Sequence, residues 1–157
     1  NNSTMLIELI KRNCEIKSKI VLKDEKERNI RKLLNYGHTI GHAIETLTGY
    51  KKISHGEAVA IGMVVEGKIA NKLGMLSNIE LDKQNDLLKK AGFKTTLPEL
   101  DTNIIIKELK KDKKVTNGNI EFVLLNKVGK ARHNIRVENK IIAESLENWG
   151  IKWYVHQ

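Results

Sequence analysis

Residues 31–45 read RKLLNYGHTIGHAIE, and their polar side chains recur at the spacing of one helix face. At 100° per residue, an arc of about 80° gathers five of them: Arg31, Asn35, His38, His42 and Glu45. Positions spaced in this way normally hold the apolar residues that a helix buries. A solvated face usually carries lysine and glutamate, so asparagine and histidine here predict a functional face on a helix of residues 26–47.

Helical periodicity in the rest of the chain predicts a mainly α-helical bundle domain with a small β-hairpin near the C-terminus. The segment 55–73 is apolar on nearly every side and is expected to be the central buried helix. Alternating residues at 120–125 and 131–137 predict the two strands, and Asn117-Gly118 is a turn signal. The remaining predicted helices are 4–19, 78–91, 102–111 and 139–149.

Composition limits the class of protein. A length of 157 residues suits one domain with a hydrophobic core, and 40% of the residues are hydrophobic. The single cysteine, Cys14, excludes an internal disulfide and favours a reducing cytoplasm. No apolar run approaches the roughly 20 residues of a membrane span, so no membrane partner is expected. Because residue 1 is Asn rather than Met, we expect an internal segment of a longer protein.

The formal net charge of +9 has two interpretations. A basic surface can bind nucleic acid or an acidic substrate, but a lysine-rich chain can also simply have solvated helix faces. The lysines are scattered, with one cluster at 110–114, and the exposed aromatic residues of a base-stacking surface are missing. Solvated faces are therefore favoured over nucleic-acid binding.

Three histidines raise the question of a metal site. His38 and His42 are four residues apart and would project from one helix face, although Thr39 stands where the HExxH zinc motif has glutamate. His55 begins the next predicted helix, where the dipole favours the neutral ring that a metal ion requires. The pattern alone leaves metal binding and a structural role equally open, and zinc is the metal that nitrogen and oxygen donors favour.

The stretch 31–45, together with HGEAVAIGM at 55–63, resembles the C-terminal half of the 3-dehydroquinate synthases. Asp24-Glu25, Asp112-Lys113-Lys114 and Gly118 fit the same family. The resemblance implies that 1–157 is a single helical C-terminal domain of a larger two-domain enzyme, whose N-terminal nucleotide-binding domain precedes residue 1. It also implies the conversion of 3-deoxy-D-arabino-heptulosonate 7-phosphate into 3-dehydroquinate and phosphate. This is a reaction of the shikimate pathway, and its cofactors would be NAD and Zn²⁺ or Co²⁺.

The resemblance assigns the metal and the catalytic residues. His38 and His55 would be metal ligands, and the third ligand would be a glutamate upstream of residue 1. His42 would be a catalytic or substrate-contacting residue rather than a ligand. Lys17 lies in line with the apolar stripe of the first helix, and from that pattern alone it is best explained as a snorkelling side chain. The family instead implies that Lys17 reaches the catalytic cleft.

Substrate-binding residues follow from the same resemblance. Arg31 would bind an anionic group and Asn35 would bind substrate oxygens, while Lys113 or Lys114 would hold the phosphate. Expected partners are the sugar phosphate and the nucleotide-binding domain, and a homodimer is left open. Without that domain and the third ligand, the chain alone is expected to be inactive and to bind metal weakly.

The sequence is also compatible with two alternatives. One is another sugar-phosphate cyclase, such as a 2-deoxy-scyllo-inosose synthase. The other is a basic helical module that binds nucleic acid, which the polar stripe disfavours because it holds one arginine and no lysine.

Overall fold

The computed structural model describes residues 2–49, 53–96, 99–111, 115–116 and 119–147. The chain divides into two compact units, Asn1–Asn35 and Tyr36–Gln157. The first unit contains helix α1 (Asn2–Lys23) and a 3₁₀ helix (Ile30–Asn35). In the second unit the helices are α2 (His38–Leu47), α3 (His55–Lys72), α4 (Asn78–Lys90), α5 (Thr102–Leu109) and α6 (Asn139–Glu147), and the strands are β1 (Val115–Thr116), β2 (Asn119–Lys127) and β3 (Lys130–Val137).

The predicted class, mainly α-helical with a hairpin near the C-terminus, is confirmed. β2 and β3 pair antiparallel and join at Gly129, and the short β1 adds to the other edge of β2. The turn signal at 117–118 and the end of the predicted last helix, 148–149, lie outside the described residues. No described helix is both long and apolar enough to cross a membrane.

Helix α3 is the central helix of the second unit, as its apolar sequence predicts. It packs against α2, α4, α6 and β2. Val65 and Ile69 of α3 are fully buried with Ile44 of α2, Phe122 of β2 and Ile142 of α6 in one core. Since α3 is fixed by this core, it provides a rigid frame for the elements that cross it.

A single helix over residues 26–47 is wrong. Residues 30–35 form a 3₁₀ helix, Gly37 takes a left-handed conformation with φ 83°, and α2 begins only at His38. The reason is a close backbone crossing, because a Cβ at Gly37 would lie 2.6 Å from the Val59 carbonyl oxygen of α3. The five-residue polar stripe is therefore also wrong: His38, His42 and Glu45 share a helix, and Arg31 and Asn35 do not belong to it.

The start of the 3₁₀ helix is held by Asp24. Its carboxylate accepts hydrogen bonds from the backbone N–H groups of Arg28, Asn29 and Arg31, at 2.9, 2.7 and 3.1 Å. These bonds, of which that from Arg28 has the largest effect, lower the pKa of Asp24 below its ordinary value. The carboxylate thus satisfies two backbone donors just before the 3₁₀ helix and one in its first turn.

Candidate metal centre

Three imidazole rings meet where α2 begins beside the first residue of α3. The ring centroid of His38 lies 5.4 Å from that of His42 and 5.3 Å from that of His55, and the last two are 6.1 Å apart. The sequence placed His38 and His42 on one helix face. The crossing of α2 over α3 adds His55, so the structure brings together all three histidines that the sequence singled out.

The start of α2 is fixed by a buried carboxylate. Glu66 of α3 is 0% exposed, and its oxygens accept hydrogen bonds from the backbone N–H of Gly37 at 2.6 Å and of Ile40 at 3.4 Å. A carboxylate at a helix N-terminus satisfies otherwise unpaired donors and interacts favourably with the helix dipole. Glu66 was not predicted from the sequence, where its only signal is that it follows the apolar run of residues 58–65 in α3.

A second, partly buried contact holds Tyr36, the residue before Gly37. The Tyr36 hydroxyl lies 3.0 Å from the Met63 carbonyl oxygen and also contacts the side-chain oxygen of Gln84. The Gln84 side-chain N–H donates to the same Met63 oxygen at 3.0 Å. Burial raises the pKa of the Tyr36 phenol, and the charge of Glu66 adds to the rise. Tyr36 therefore remains a neutral donor that ties the start of α2 to α3 and α4.

His55 is positioned by a capping box at the start of α3. The Ser54 side chain accepts from the Glu57 backbone N–H at 3.4 Å, and the Glu57 carboxylate accepts from the Ser54 backbone N–H at 3.0 Å. Hydrogen bonds from the Ser54 side chain and then from its backbone lower the pKa of Glu57. Because the backbone N–H groups of Ser54 and Glu57 both have side-chain acceptors, the helix start at His55 is well defined.

Two of the rings have a defined acceptor on Nδ1. His38 Nδ1 lies 3.2 Å from the Tyr36 carbonyl oxygen, and His55 Nδ1 lies 3.0 Å from Glu45 Oε1. Such contacts favour the neutral tautomer that carries its proton on Nδ1 and its lone pair on Nε2. A metal-binding histidine commonly uses its second nitrogen in this way.

The donor set suits Zn²⁺ or Co²⁺. One ligand atom each from His42, Glu45 and His55 lies within 4.8 Å of the other two, and the His38 ring adjoins this group. Imidazole nitrogens with a carboxylate oxygen form a usual zinc ligand set. The geometry therefore offers two ways to hold a metal ion: through His38 and His55, as the resemblance implies, or through His42, Glu45 and His55.

A polar cavity of about 230 Å³ opens beside His42. Its lining residues come from α2 and from the end of α5: Thr39, His42, Ala43, Thr46, Glu108, Leu109 and Lys111. Lys111 pairs with Glu108 at 2.6 Å. Of the three histidines, His42 is the one that lines this cavity. This position would allow its ring to contact a small polar ligand.

The remaining predicted site residues lie in the first unit or outside the described residues. Lys17 is exposed on α1, and the Arg31 side chain donates to the Glu25 carbonyl oxygen at 2.7 Å. The Asn35 side chain donates to Glu27. All three belong to the first unit, and their part in a cleft with the histidines stays a prediction. Lys113 and Lys114 lie outside the described residues.

Comparison with known proteins identifies relatives over most of the chain. The family described as 3-dehydroquinate synthase C-terminal matches residues 1–115. The 3-dehydroquinate synthase of Rippkaea orientalis (strain PCC 8801 / RF-1) is 47% identical over 142 residues, which are 90% of this chain and 39% of the relative. That of Synechococcus sp. (strain ATCC 27144 / PCC 6301 / SAUG 1402/1) is 44% identical over 146 residues, covering 92% and 40%. The chain spans about two fifths of the length of these curated relatives.

Solved structures of two differently named synthases share the fold of this chain. A 2-deoxy-scyllo-inosose synthase complexed with carbaglucose-6-phosphate, NAD⁺ and Co²⁺ matches with a TM-score of 0.68 and 33% identity, covering 76% of this chain and 35% of that one. The 2-epi-5-epi-valiolone synthase of Streptomyces hygroscopicus subsp. jinggangensis 5008, with NAD⁺ and Zn²⁺ bound, matches with a TM-score of 0.77 and 22% identity, covering 90% and 39%. The second likeness concerns the fold alone.

Proposed function

This chain belongs to the 3-dehydroquinate synthase C-terminal family, and we propose that it forms the metal- and substrate-binding part of such a synthase. The reaction is the conversion of 3-deoxy-D-arabino-heptulosonate 7-phosphate into 3-dehydroquinate and phosphate. The observation that supports the proposal is that the rings of His38, His42 and His55 lie together. These residues belong to the two segments, 31–45 and 55–63, that resemble the family. The exposed Cys14 thiol suits a reducing cytoplasm.

The proposed enzyme has two domains. Residues 1–157 act as its C-terminal domain, and a nucleotide-binding domain upstream holds NAD. This arrangement is supported by the share of the curated relatives that the chain covers, about two fifths. It also agrees with the 2-deoxy-scyllo-inosose synthase relative, which was solved with NAD⁺, Co²⁺ and a carbocyclic sugar phosphate.

In the proposed metal centre, His38 and His55 are ligands, together with a glutamate upstream of residue 1. Both rings have an acceptor on Nδ1, which favours the lone pair on Nε2. When bound, Zn²⁺ or Co²⁺ supplies Lewis-acid polarisation of substrate hydroxyls. The start of each helix holds its histidine in place, α2 through Glu66 and α3 through Ser54 and Glu57.

The remaining side chains act on the substrate. His42 borders the polar cavity, where a ring nitrogen can take a proton from a hydroxyl and return it to a leaving oxygen. Arg31 binds an anionic group, bidentately where the geometry allows, because a guanidinium matches carboxylate and phosphate oxygens. Asn35 hydrogen-bonds substrate oxygens, and one of Lys113 and Lys114 holds the phosphate. Lys17 is the second catalytic residue, in addition to His42.

A second candidate function is another sugar-phosphate cyclase, which is favoured by the 33% identity to a 2-deoxy-scyllo-inosose synthase. Release of inorganic phosphate by the full-length protein, loaded with NAD and Zn²⁺ or Co²⁺, separates the two. We expect turnover of the heptulosonate phosphate and none of glucose 6-phosphate. The reverse preference would establish the second candidate, and turnover of neither substrate would refute both.

A further inference from the structure

The contact between Glu45 and His55 joins a buried carboxylate to an exposed ring. Glu45 is only 7% exposed, whereas 60% of the His55 side chain is accessible to solvent. A ring this exposed, at the first position of a helix, is covered on only part of its surface, by neighbours that include the His38 and His42 rings. The Glu45 oxygen at 3.0 Å therefore supplies a restraint that packing does not.

The carboxylate itself needs this contact. A buried carboxylate is costly unless it is hydrogen-bonded. Among the described residues, the His55 ring is the hydrogen-bond partner that the structure gives to the Glu45 side chain. Glu45 lies seven residues after His38 on α2, so its carboxylate is held on the same helix face as the His38 and His42 rings.

The nitrogen that Glu45 contacts determines which nitrogen remains for a metal ion. With Nδ1–H donating to the carboxylate, the lone pair of the neutral His55 ring is on Nε2, at the opposite edge of the ring. An oxygen already used by Nδ1–H is better suited to orient a ligand than to serve as one.

We infer that Glu45 is a positioning residue for the metal centre: its carboxylate orients the His55 ring and keeps its proton on Nδ1, so that Nε2 is presented to the metal ion, and Glu45 is not itself a ligand. This inference rests on the proposed function for one point, the assignment of His55 as a ligand. It excludes the alternative set of His42, Glu45 and His55 that the distances alone allow.

The first measurement is made without metal. Two-bond ¹H–¹⁵N correlation spectra of the histidine-labelled, metal-free chain at alkaline pH report the tautomer of each ring. We expect the Nδ1–H form for His55 and a shift toward the Nε2–H form in Glu45→Ala. Glu45→Gln should restore the original tautomer, because the amide oxygen still accepts a hydrogen bond. Glu57→Ala is the control, since it loosens the start of α3 and leaves Glu45 in place.

The second measurement is zinc affinity of the full-length protein by competition with a chromophoric chelator. Glu45→Ala should weaken zinc binding 10–100-fold, with most of the loss recovered in Glu45→Gln. Wild-type affinity and an unchanged tautomer in Glu45→Ala would overturn the inference. A complete loss of zinc in Glu45→Gln, as in His55→Ala, would also overturn it by making Glu45 a ligand.

These outcomes are separate from failure of the proposed function. If His55→Ala kept its zinc, the assignment of His55 as a ligand would be wrong, and the metal part of the inference would fail with it. The tautomer of the metal-free chain would still decide whether Glu45 orients the ring.

Discussion

The carbonyl oxygen of Gly37 lies so close to Gly62 that a Cβ at residue 62 would stand 1.9 Å from it. Residue 62 is in the middle of α3 and residue 37 immediately precedes α2, so this approach sets the separation of the two helices that carry the histidines. A side chain at either position would push the start of α2, with His38, away from the middle of α3.

Gly62→Ala should therefore destabilise the protein and disrupt the site. The added methyl group should cost about 1–3 kcal/mol of unfolding free energy or more, because a backbone carbonyl cannot rotate out of the way as a side chain does. Urea unfolding measures the loss. The control is Gly56→Ala, whose Cβ would meet only the Phe93 ring at 3.7 Å and which gains helix propensity. Equal stability of the two variants would show that the crossing is not as tight as described.

Glu66→Gln should weaken the start of α2. In the wild type, the Gly37 and Ile40 N–H groups donate to separate oxygens of the carboxylate. An amide has only one oxygen, so one buried N–H loses its acceptor, which costs about 1–3 kcal/mol. Denaturant unfolding tests this against Glu144→Gln, which changes a partly exposed contact to Lys72 and should cost less than about 1 kcal/mol. A larger loss in Glu144→Gln would contradict the assigned role of Glu66.

Ser54→Ala should return the pKa of Glu57 toward its ordinary value, because hydrogen bonds from Ser54 are what lower it. Since the folded pKa is below the unfolded one, the contribution of Glu57 to stability is present above about pH 4 and is lost as the pH falls through the folded pKa. Carboxyl ¹³C titration measures the change. The pKa of Asp24, lowered mainly by the Arg28 backbone N–H, is the internal control and should not move.

Tyr36→Phe should remove a pH dependence on the alkaline side. The folded pKa of Tyr36 is raised by burial, so its contribution to stability is complete below about pH 10 and is lost as the pH rises further, where only the unfolded chain ionises readily. Unfolding measured across this range should show a steeper decline for the wild type than for Tyr36→Phe. At neutral pH the variant should lose about 1–2 kcal/mol, because Gln84 and Met63 lose a donor. Parallel alkaline profiles would refute this role for Tyr36.

His42→Ala and His55→Ala should differ in the full-length protein. His55→Ala should lose zinc, whereas His42→Ala should keep it and turn over 10–100-fold more slowly, because His42 borders the cavity and is not a ligand in the proposed centre. Elemental analysis beside steady-state kinetics measures both. Zinc lost from both variants would place His42 among the ligands, in agreement with its distance to Glu45 and His55.

The fold could be predicted where periodicity alone decides the structure. The apolar residues of α3 and the alternation in β2 and β3 are local signals, and those elements form where the sequence predicts them. The break before α2 is different. Gly37 in a helical pattern only lowers propensity, and what makes it left-handed is the approach of Val59 and Gly62 from α3, which no local pattern contains.

The site shows the same division. The spacing of His38 and His42 predicts that the two rings share a face, but His55 joins them because two helices cross. The partnership of Glu45 with His55 then follows from that crossing. The buried Glu66 was missed because a side chain that caps another helix leaves only a charged residue at the end of an apolar run as its signal. The parts played by Lys17, Arg31 and Asn35 stay predictions.

His38 and His55 are each the first residue of their helix. Each ring is therefore placed by contacts at the start of its own helix: Glu66 binds the start of α2, and Glu57 and Glu45 hold the start of α3 and the His55 ring. The length from Tyr36 to His38 and the Ser54-His55 pair should therefore be constant among members of the family. A change in either would move one ring relative to the other, even if both helices still formed.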